Sequence, residues 1–240
     1  MAYHWDIPPS ATGALPRLKV ATCQIAVTHD IAANLRQVLE LIRAAAAARA
    51  DVAHFPECAL SGYGPAAWPD WADFDWPAVA AAVAAVRAFA PGAERQEIVA
   101  IDGVRCGLLV CLDWAFPELW ADYAGKVELV FHSCVSDSAG RDRNQAHTVP
   151  PLMQAYAWLH QYAISVANSC RPAQDFPSFW VERSGHPGPR AAPDRAGLIV
   201  NALADDPEQD RFFAMVRRFR ESAADGSLYA PHRSGMDAGA

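Results

Sequence analysis

A chain of 240 residues, about half of them apolar, can build one substantial core or two small ones. Its formal net charge of −7, with no basic block, excludes neither catalysis nor binding but argues against nucleic acid or an anionic membrane surface as partner. No apolar run approaches the ~20 residues of a membrane helix, and Met1 to Pro16 lacks the positive start of a signal peptide, so a cytoplasmic location is expected. The cysteines, Cys23, Cys58, Cys106, Cys111, Cys134 and Cys170, are scattered and read as reduced thiols.

After an N-terminal arm (1–17), the β-rich stretch Leu18 to Ile25 predicts a strand. Asp30 caps a helix from Ile31 to about Ala48, with Leu35, Val38, Leu39 and Ile42 on one face. Asp51 to Glu57 reads as a short buried strand ending at the carboxylate, and Leu60 to Pro65 as turn chemistry. A helix is expected from Trp76 to Phe89, broken by Pro91-Gly92. Glu97 to Ile101 and Val104 to Asp113 form a hairpin about the Asp102-Gly103 turn. Pro117 opens a helix ending near Gly125, Val127 to Cys134 is a strand, and Pro151 to Tyr162 is a helix leading into the strand Ala163 to Asn168. Ser178 to Glu182 and Gly197 to Ala202 read as a closing pair of strands. Asp206 to Ala223 is an amphipathic last helix, with a flexible tail over 225–240. Alternating strands and helices without a linker place 18–224 in one α/β layered domain.

Two residues could carry chemistry. Cys111 ends the apolar run Leu108 to Val110, just before the Pro117-Glu118 helix start, the position where α/β sheets place their sites. A thiol there becomes a nucleophile when a neighbour takes its proton, and the Leu112 N–H is placed to hold an oxyanion. Glu57, following Val52, Phe55 and Pro56, is a partly desolvated carboxylate whose raised pKa suits a general base. Taken singly, Cys111 also reads as a small core residue and Glu57 as a solvated loop residue. Cys106, five positions before Cys111, faces the other side, so a redox pair is not expected. His54, three positions before Glu57, faces away from it. His132-Ser133-Cys134 lacks the partner pair of a zinc site, and Gly103 to Gly107 lacks the residues of a phosphate loop. Tyr63, Trp68 and Trp114 are candidate pocket aromatics, with packing as the other reading.

Phe55-Pro56-Glu57 followed by Leu60-Ser61-Gly62-Tyr63 resembles the glutamate motif of the nitrilase superfamily, the carbon–nitrogen hydrolases. Val104 to Asp113, followed by Phe116-Pro117-Glu118, resembles its cysteine motif. Lys19 to Gln24 resembles its first strand, and Val127 to Ser133 and Tyr162 to Ser169 resemble the two strands after the nucleophile. The resemblance implies a four-layer αββα sandwich, usually a homodimer or larger homo-oligomer, and hydrolysis of small amides, nitriles or carbamoyl compounds without metal or cofactor. It implies Cys111 as nucleophile through a thioester, Glu57 as proton relay and the Leu112 N–H as oxyanion donor. Tyr63, Trp114 and His132 then become candidate lining of the substrate pocket.

One departure stands out. The family's third catalytic residue is a lysine between the glutamate and cysteine motifs, and no lysine lies between Glu57 and Cys111; Lys19 and Lys126 are the chain's only lysines. The segment that carries it reads as deleted before Pro91, which should leave sheet edges uncovered. Losing one oxyanion donor costs ~10²–10³ in turnover, and an unperturbed thiol of pKa ~8.5 is only a few per cent thiolate near neutral pH. Arg141, Arg143 or His132 are the candidate substitutes. Two functions therefore stay open: a hydrolase of reduced or rerouted activity, and a catalytically silent relative that binds small molecules or partner subunits.

Overall fold

The structure is a computed structural model that describes residues 18–63, 75–86, 98–136, 144–171, 173–203 and 207–224. The expected N-terminal arm and C-terminal tail, and Arg141, Arg143 and Trp68, lie outside the described residues. The chain divides into two compact units, Pro16–Leu203 and a second composed of Met1–Leu15 with Ala204–Ala240. The described part of the second is a helix, α5 (Pro207–Ala224), with Phe213 buried and Phe212 exposed.

In the larger unit the elements run β1 (Lys19–Ala26), α1 (Ile31–Ala47), β2 (Val52–His54), α2 (Trp76–Val86), β3 (Ile98–Ile101), β4 (Val104–Val110), α3 (Pro117–Ala121), β5 (Leu129–Ser133), α4 (Asn144–His160), β6 (Ala163–Ala167), β7 (Ser169–Arg171), β8 (Phe179–Val181), β9 (Pro187–Arg190) and β10 (Gly197–Ala202). One sheet has the order β10-β1-β2, with β7 also paired to β1; the other has the order β3-β4-β5-β6-β8-β9.

Strand alternation builds the layers. On β1, Ala21, Cys23 and Ile25 turn outward and pack under Val38, Leu41 and Ala45 of α1. Leu18 and Val20 turn inward against Val104, Cys106, Leu129, Phe131, Ala163 and Trp180 of the larger sheet. The outer face of that sheet, Leu109, Val130, Ile164 and Val166, is covered by Trp120, Tyr123, Met153 and Tyr156 of the α3–α4 side. The result is an α–β–β–α sandwich. Asp30 caps α1 as its sequence predicts, accepting from Ala33 N–H at 2.9 Å. The buried line of α1 is centred on Asn34, Val38, Leu41 and Ala45, one position away from the expected apolar stripe. Asn34 earns its place in that line by hydrogen bonding: its side-chain amide donates to the Thr28 and Leu60 carbonyls at 2.7 and 3.3 Å.

Several elements depart from the sequence expectation. β2 stops at His54, because Pro56 has no N–H for a ladder, so Glu57 lies in a turn rather than at a strand end. α4 begins at Asn144, seven residues before Pro151, and carries Pro150 and Pro151 inside it. The two expected closing strands do not pair with one another: β8 joins β6 antiparallel and β10 joins β1 antiparallel, so the chain between them crosses from one sheet to the other. β9, with Pro187 and Pro189, is tolerated because it lies at a sheet edge.

Gly107 shows how tightly β4 meets the helical layer. A Cβ there would lie 2.8 Å from the Tyr123 ring, which is pinned by hydrogen bonds of its hydroxyl with the N–H and carbonyl of Leu108, both at 3.2 Å. Gly107→Ala is expected to lower stability by about 1–3 kcal/mol, as overpacking does; an unchanged urea midpoint would contradict that.

Candidate active site

Cys111 sits where β4 gives way to a 3-10 turn, Cys111–Ala115. Its φ of +50° is left-handed, a conformation that costs a non-glycine residue roughly 1–2 kcal/mol. Three hydrogen bonds hold this elbow. Val110 N–H donates to Asp113 Oδ2 at 2.8 Å, and the Trp120 indole N–H donates to the Asp113 carbonyl at 2.8 Å. His132 Nε2 donates to the Cys111 carbonyl at 2.9 Å. A carbonyl can only accept, so the His132 proton is on Nε2. Burial lowers the pKa of this histidine, and its ring packs edge-on against Trp120 at 5.6 Å.

Glu57 arrives from the other sheet. It occupies a turn that follows β2, with Cys58 at φ +54° and Gly62 at φ +86°. At Gly62 a Cβ would come within 2.6 Å of the Thr28 carbonyl, so the turn needs a glycine there. The turn is tied down on both sides. Ser133 Oγ donates to the Phe55 carbonyl at 2.9 Å, and Val135 N–H donates to Glu57 Oε1 at 2.8 Å. Glu57 lies close enough to the Cys111 thiol for each to shift the other's titration, and the Leu112 N–H lies on the same side of the Cys111 sulfur. Glu57, Cys111 and Leu112 therefore meet in one place.

Electrostatics define the resting state of this pair. Burial is the main cause of a raised Glu57 pKa, with Asp113 adding to it and the hydrogen bonds from Cys111 and Val135 opposing it. Burial, then the hydrogen bond and charge of Glu57, pushes the Cys111 thiol up to about 12, while the Leu112 N–H pulls the other way. Cys111 is thus held as a neutral thiol beside a carboxylate whose own pKa is raised. Such an arrangement can support general-base attack, in which a thiol gives up its proton to a carboxylate only as sulfur bonds to carbon.

The other sequence candidates have different surroundings. His132 is fully buried and bonds the Cys111 backbone rather than the thiol. The Trp114 side chain is half-buried against the helix-side core, and Tyr63 is exposed beyond the Glu57 turn. Lys19 is engaged elsewhere, its Nζ donating to the Ala48 carbonyl at 2.7 Å at the end of α1. Cys106 is buried between the sheets. Among the described residues no group of three or more His, Cys, Asp or Glu is arranged to hold a metal ion, and no helix is long and apolar enough to cross a membrane.

Four contributors were not singled out from sequence. Asp113 and Trp120 brace the elbow, Val135 orients Glu57, and exposed Cys58 lies beside Glu57 and acts on Cys111 electrostatically. Asp113 has a local signal, an acceptor three residues after Val110 in a turn. Val135 acts through its backbone, which no residue type reveals.

A family model for carbon–nitrogen hydrolases matches residues 19–100. No curated protein matches the chain. Among solved structures, an amidase from Nesterenkonia sp. is 21% identical with a TM-score of 0.65, over 84% of this chain and 96% of that one. A cysteine-to-alanine variant of the Nesterenkonia AN1 amidase, from the nitrilase superfamily, aligns at the same identity and TM-score over 84% of this chain and 97% of its own. A cysteine-to-alanine variant of that amidase in complex with butyramide aligns equally well, over 84% and 96% of the two chains. At this identity the structural likeness is one of fold.

Proposed function

We propose that this chain, a carbon–nitrogen hydrolase family protein on a nitrilase-like fold, hydrolyses a small amide, nitrile or carbamoyl compound through Cys111 and Glu57. The observation that carries the reading is a thiol at a braced, left-handed strand end with a carboxylate within interacting range, that carboxylate oriented by the Val135 N–H. For an amide, Cys111 Sγ bonds to the carbonyl carbon while its proton passes to Glu57. The carbonyl oxygen becomes an oxyanion beside the Leu112 N–H. Glu57 returns the proton to the leaving nitrogen, ammonia departs, and a thioester remains. Glu57 then takes a proton from water, whose oxygen attacks the thioester; the acid leaves and the thiol is restored. A nitrile would first give a thioimidate, its nitrogen taking the thiol proton by way of Glu57; one water then adds and ammonia leaves, and a second water hydrolyses the resulting thioester. The butyramide complex of the Nesterenkonia amidase makes short aliphatic amides the first substrates to try.

The internal deletion belongs to the same reading. Leu108 and Val110 share the inter-sheet face of β4 with Val104 and Cys106, yet they are 49% and 48% exposed where the others are at most 1%. Ile98 and Val99 on the edge strand β3 are exposed as well. This uncovered apolar strip supports a sandwich that has lost the β-structure which once covered it, along with the family lysine. A homodimer or larger homo-oligomer is part of the proposal, with the apolar face of the last helix as the candidate interface.

A second reading is favoured by the half-buried setting of Cys111, where burial and then the neighbouring Glu57 push the thiol up to about 12. A site that rarely ionises its nucleophile suits a silent relative that keeps the pocket and binds without turnover. Ammonia release separates the two. A panel of short aliphatic amides and nitriles should yield ammonia with the wild type and none above background with Cys111→Ala. Release that survives the substitution would remove Cys111 from the reaction, and none from either protein would favour the silent reading.

A further inference from the structure

Between the two sheets the apolar core gives way to a polar seam of four side chains. Thr22 Oγ1 lies 2.7 Å from Ser165 Oγ, and Ser165 Oγ lies 2.8 Å from His54 Nδ1. His54 Nε2 lies 2.9 Å from Ser133 Oγ, which donates to the Phe55 carbonyl at 2.9 Å. Thr22, His54 and Ser165 are buried, and the His54 ring is held edge-on to Phe131 at 5.0 Å. The chain links β1 and β2 of one sheet to β5 and β6 of the other.

Every donor in this chain can be assigned. The Phe55 carbonyl can only accept, so the single Ser133 proton points to it. Ser133 Oγ must then accept from His54 Nε2–H. That leaves Nδ1 as an acceptor, served by the Ser165 hydroxyl, and Ser165 accepts in turn from Thr22. Burial, the larger cause, and the nearby His132 lower the His54 pKa to about 3, so the ring stays neutral and in this one tautomer. The seam ends on a carbonyl, which has no proton to pass on, so it is not a proton wire. It is a strut whose end is the backbone two residues before Glu57.

We propose that His54 is a positioning residue for Glu57, setting the reach of the carboxylate to Cys111 through Ser133 and the Phe55 carbonyl. This rests on the reading of Glu57 and Cys111 as base and nucleophile. Removing His54 takes away the Nε2–H that holds the Ser133 hydroxyl toward the Phe55 carbonyl, so one of the two anchors of the Phe55–Glu57 segment loosens while the Val135 N–H remains. Displacing a catalytic group by about 1 Å can cost ~10²-fold in turnover. His54→Leu is accordingly expected to lose ~10²-fold in kcat with little change in KM. His54→Gln, which places an amide N–H near the Nε2 position, should recover most of that loss.

A readout independent of turnover is the pH profile of Cys111 alkylation by iodoacetamide, followed on the Cys111 peptide by mass spectrometry. With Glu57 held at the thiol the profile lies at high pH, and Glu57→Gln should move it to lower pH. His54→Leu should move it the same way, and His54→Gln should stay with the wild type. Ser133→Ala, which keeps the imidazole and removes the link, should repeat the His54→Leu shift if that variant folds poorly. Thr22→Val, at the far end of the seam, should lower the melting temperature and leave the profile in place, separating positioning from plain stability. Profiles for His54→Leu and Ser133→Ala that overlay the wild type while Glu57→Gln shifts would overturn the role of His54 alone. A Glu57→Gln profile that does not move would overturn the Glu57–Cys111 pairing itself, and the positioning role with it.

Discussion

Glu57→Gln should lower kcat/KM for any amide the protein turns over by about 10²–10⁴-fold, the usual contribution of a positioned general base. The amide keeps the shape and can still accept from Val135 N–H, so the fold should be nearly unaffected. The wild-type pH profile carries a matching signature. Glu57 must be ionised to accept the thiol proton, and its pKa is raised by burial above the ordinary carboxylate value of 4.5. Activity should therefore fall away on the acid side at a pH clearly higher than 4.5, as protonation removes the base. Measuring kcat/KM from pH 4 to pH 9 checks the sign. An acid limb at or below the ordinary carboxylate range, or full activity in Glu57→Gln, would mean that another group takes the proton.

Trp120→Ala should cost about 3–5 kcal/mol of stability, the range for removing a fully buried indole. Trp120 is completely buried, stacks on Tyr156 at 4.9 Å, packs edge-on to His132, and accepts the Tyr162 hydroxyl on its carbonyl at 3.0 Å. Its indole N–H also fixes Asp113, which fixes Val110 in turn. Trp120→Phe should retain most of the packing and lose mainly the hydrogen bond, at a cost smaller by several kcal/mol. Urea unfolding of the two variants checks the order. Equal losses would show that the hydrogen bond to the elbow, rather than the buried ring, dominates.

The architecture was legible because its signals are local. The Asp102-Gly103 hairpin forms as expected, with both residues at positive φ, and β1, β4, β5 and β6 lie within a residue or three of their predicted limits. The Cys111 and Glu57 motifs were legible for the same reason, each being a short run that a resemblance can carry. What could not be read was pairing between distant segments. Nothing in Gly197 to Ala202 says that it joins β1 rather than Phe179–Val181, since both strands offer apolar faces. The start of α4 was hidden because Pro150 and Pro151 suggest a helix beginning, whereas here they sit inside one.

The site shows the same division. His54 is set facing away from Glu57 by alternation along a strand, but β2 ends at His54, so that alternation does not extend to Glu57. Its link to Glu57 runs through Ser133, 79 residues later in the chain, which no local pattern reports. His132, a candidate substitute for the lysine, is set opposite Leu109 by register, and its Nε2–H reaches the Cys111 carbonyl. Both histidines brace the site through the backbone.

The most direct measurement is the site of covalent reaction with fluoroacetamide. A glutamate-to-glutamine variant of the Nesterenkonia amidase carries the acetamide moiety of that compound on its active-site cysteine. Here Cys58 is the exposed thiol, Cys111 is half-buried, and Cys23, Cys106, Cys134 and Cys170 are buried, so accessibility alone favours Cys58. Peptide mapping of Glu57→Gln and wild-type protein after brief exposure should find the adduct on Cys111 ahead of Cys58. An adduct that appears first on Cys58, or on no cysteine at all, would contradict Cys111 as the nucleophile.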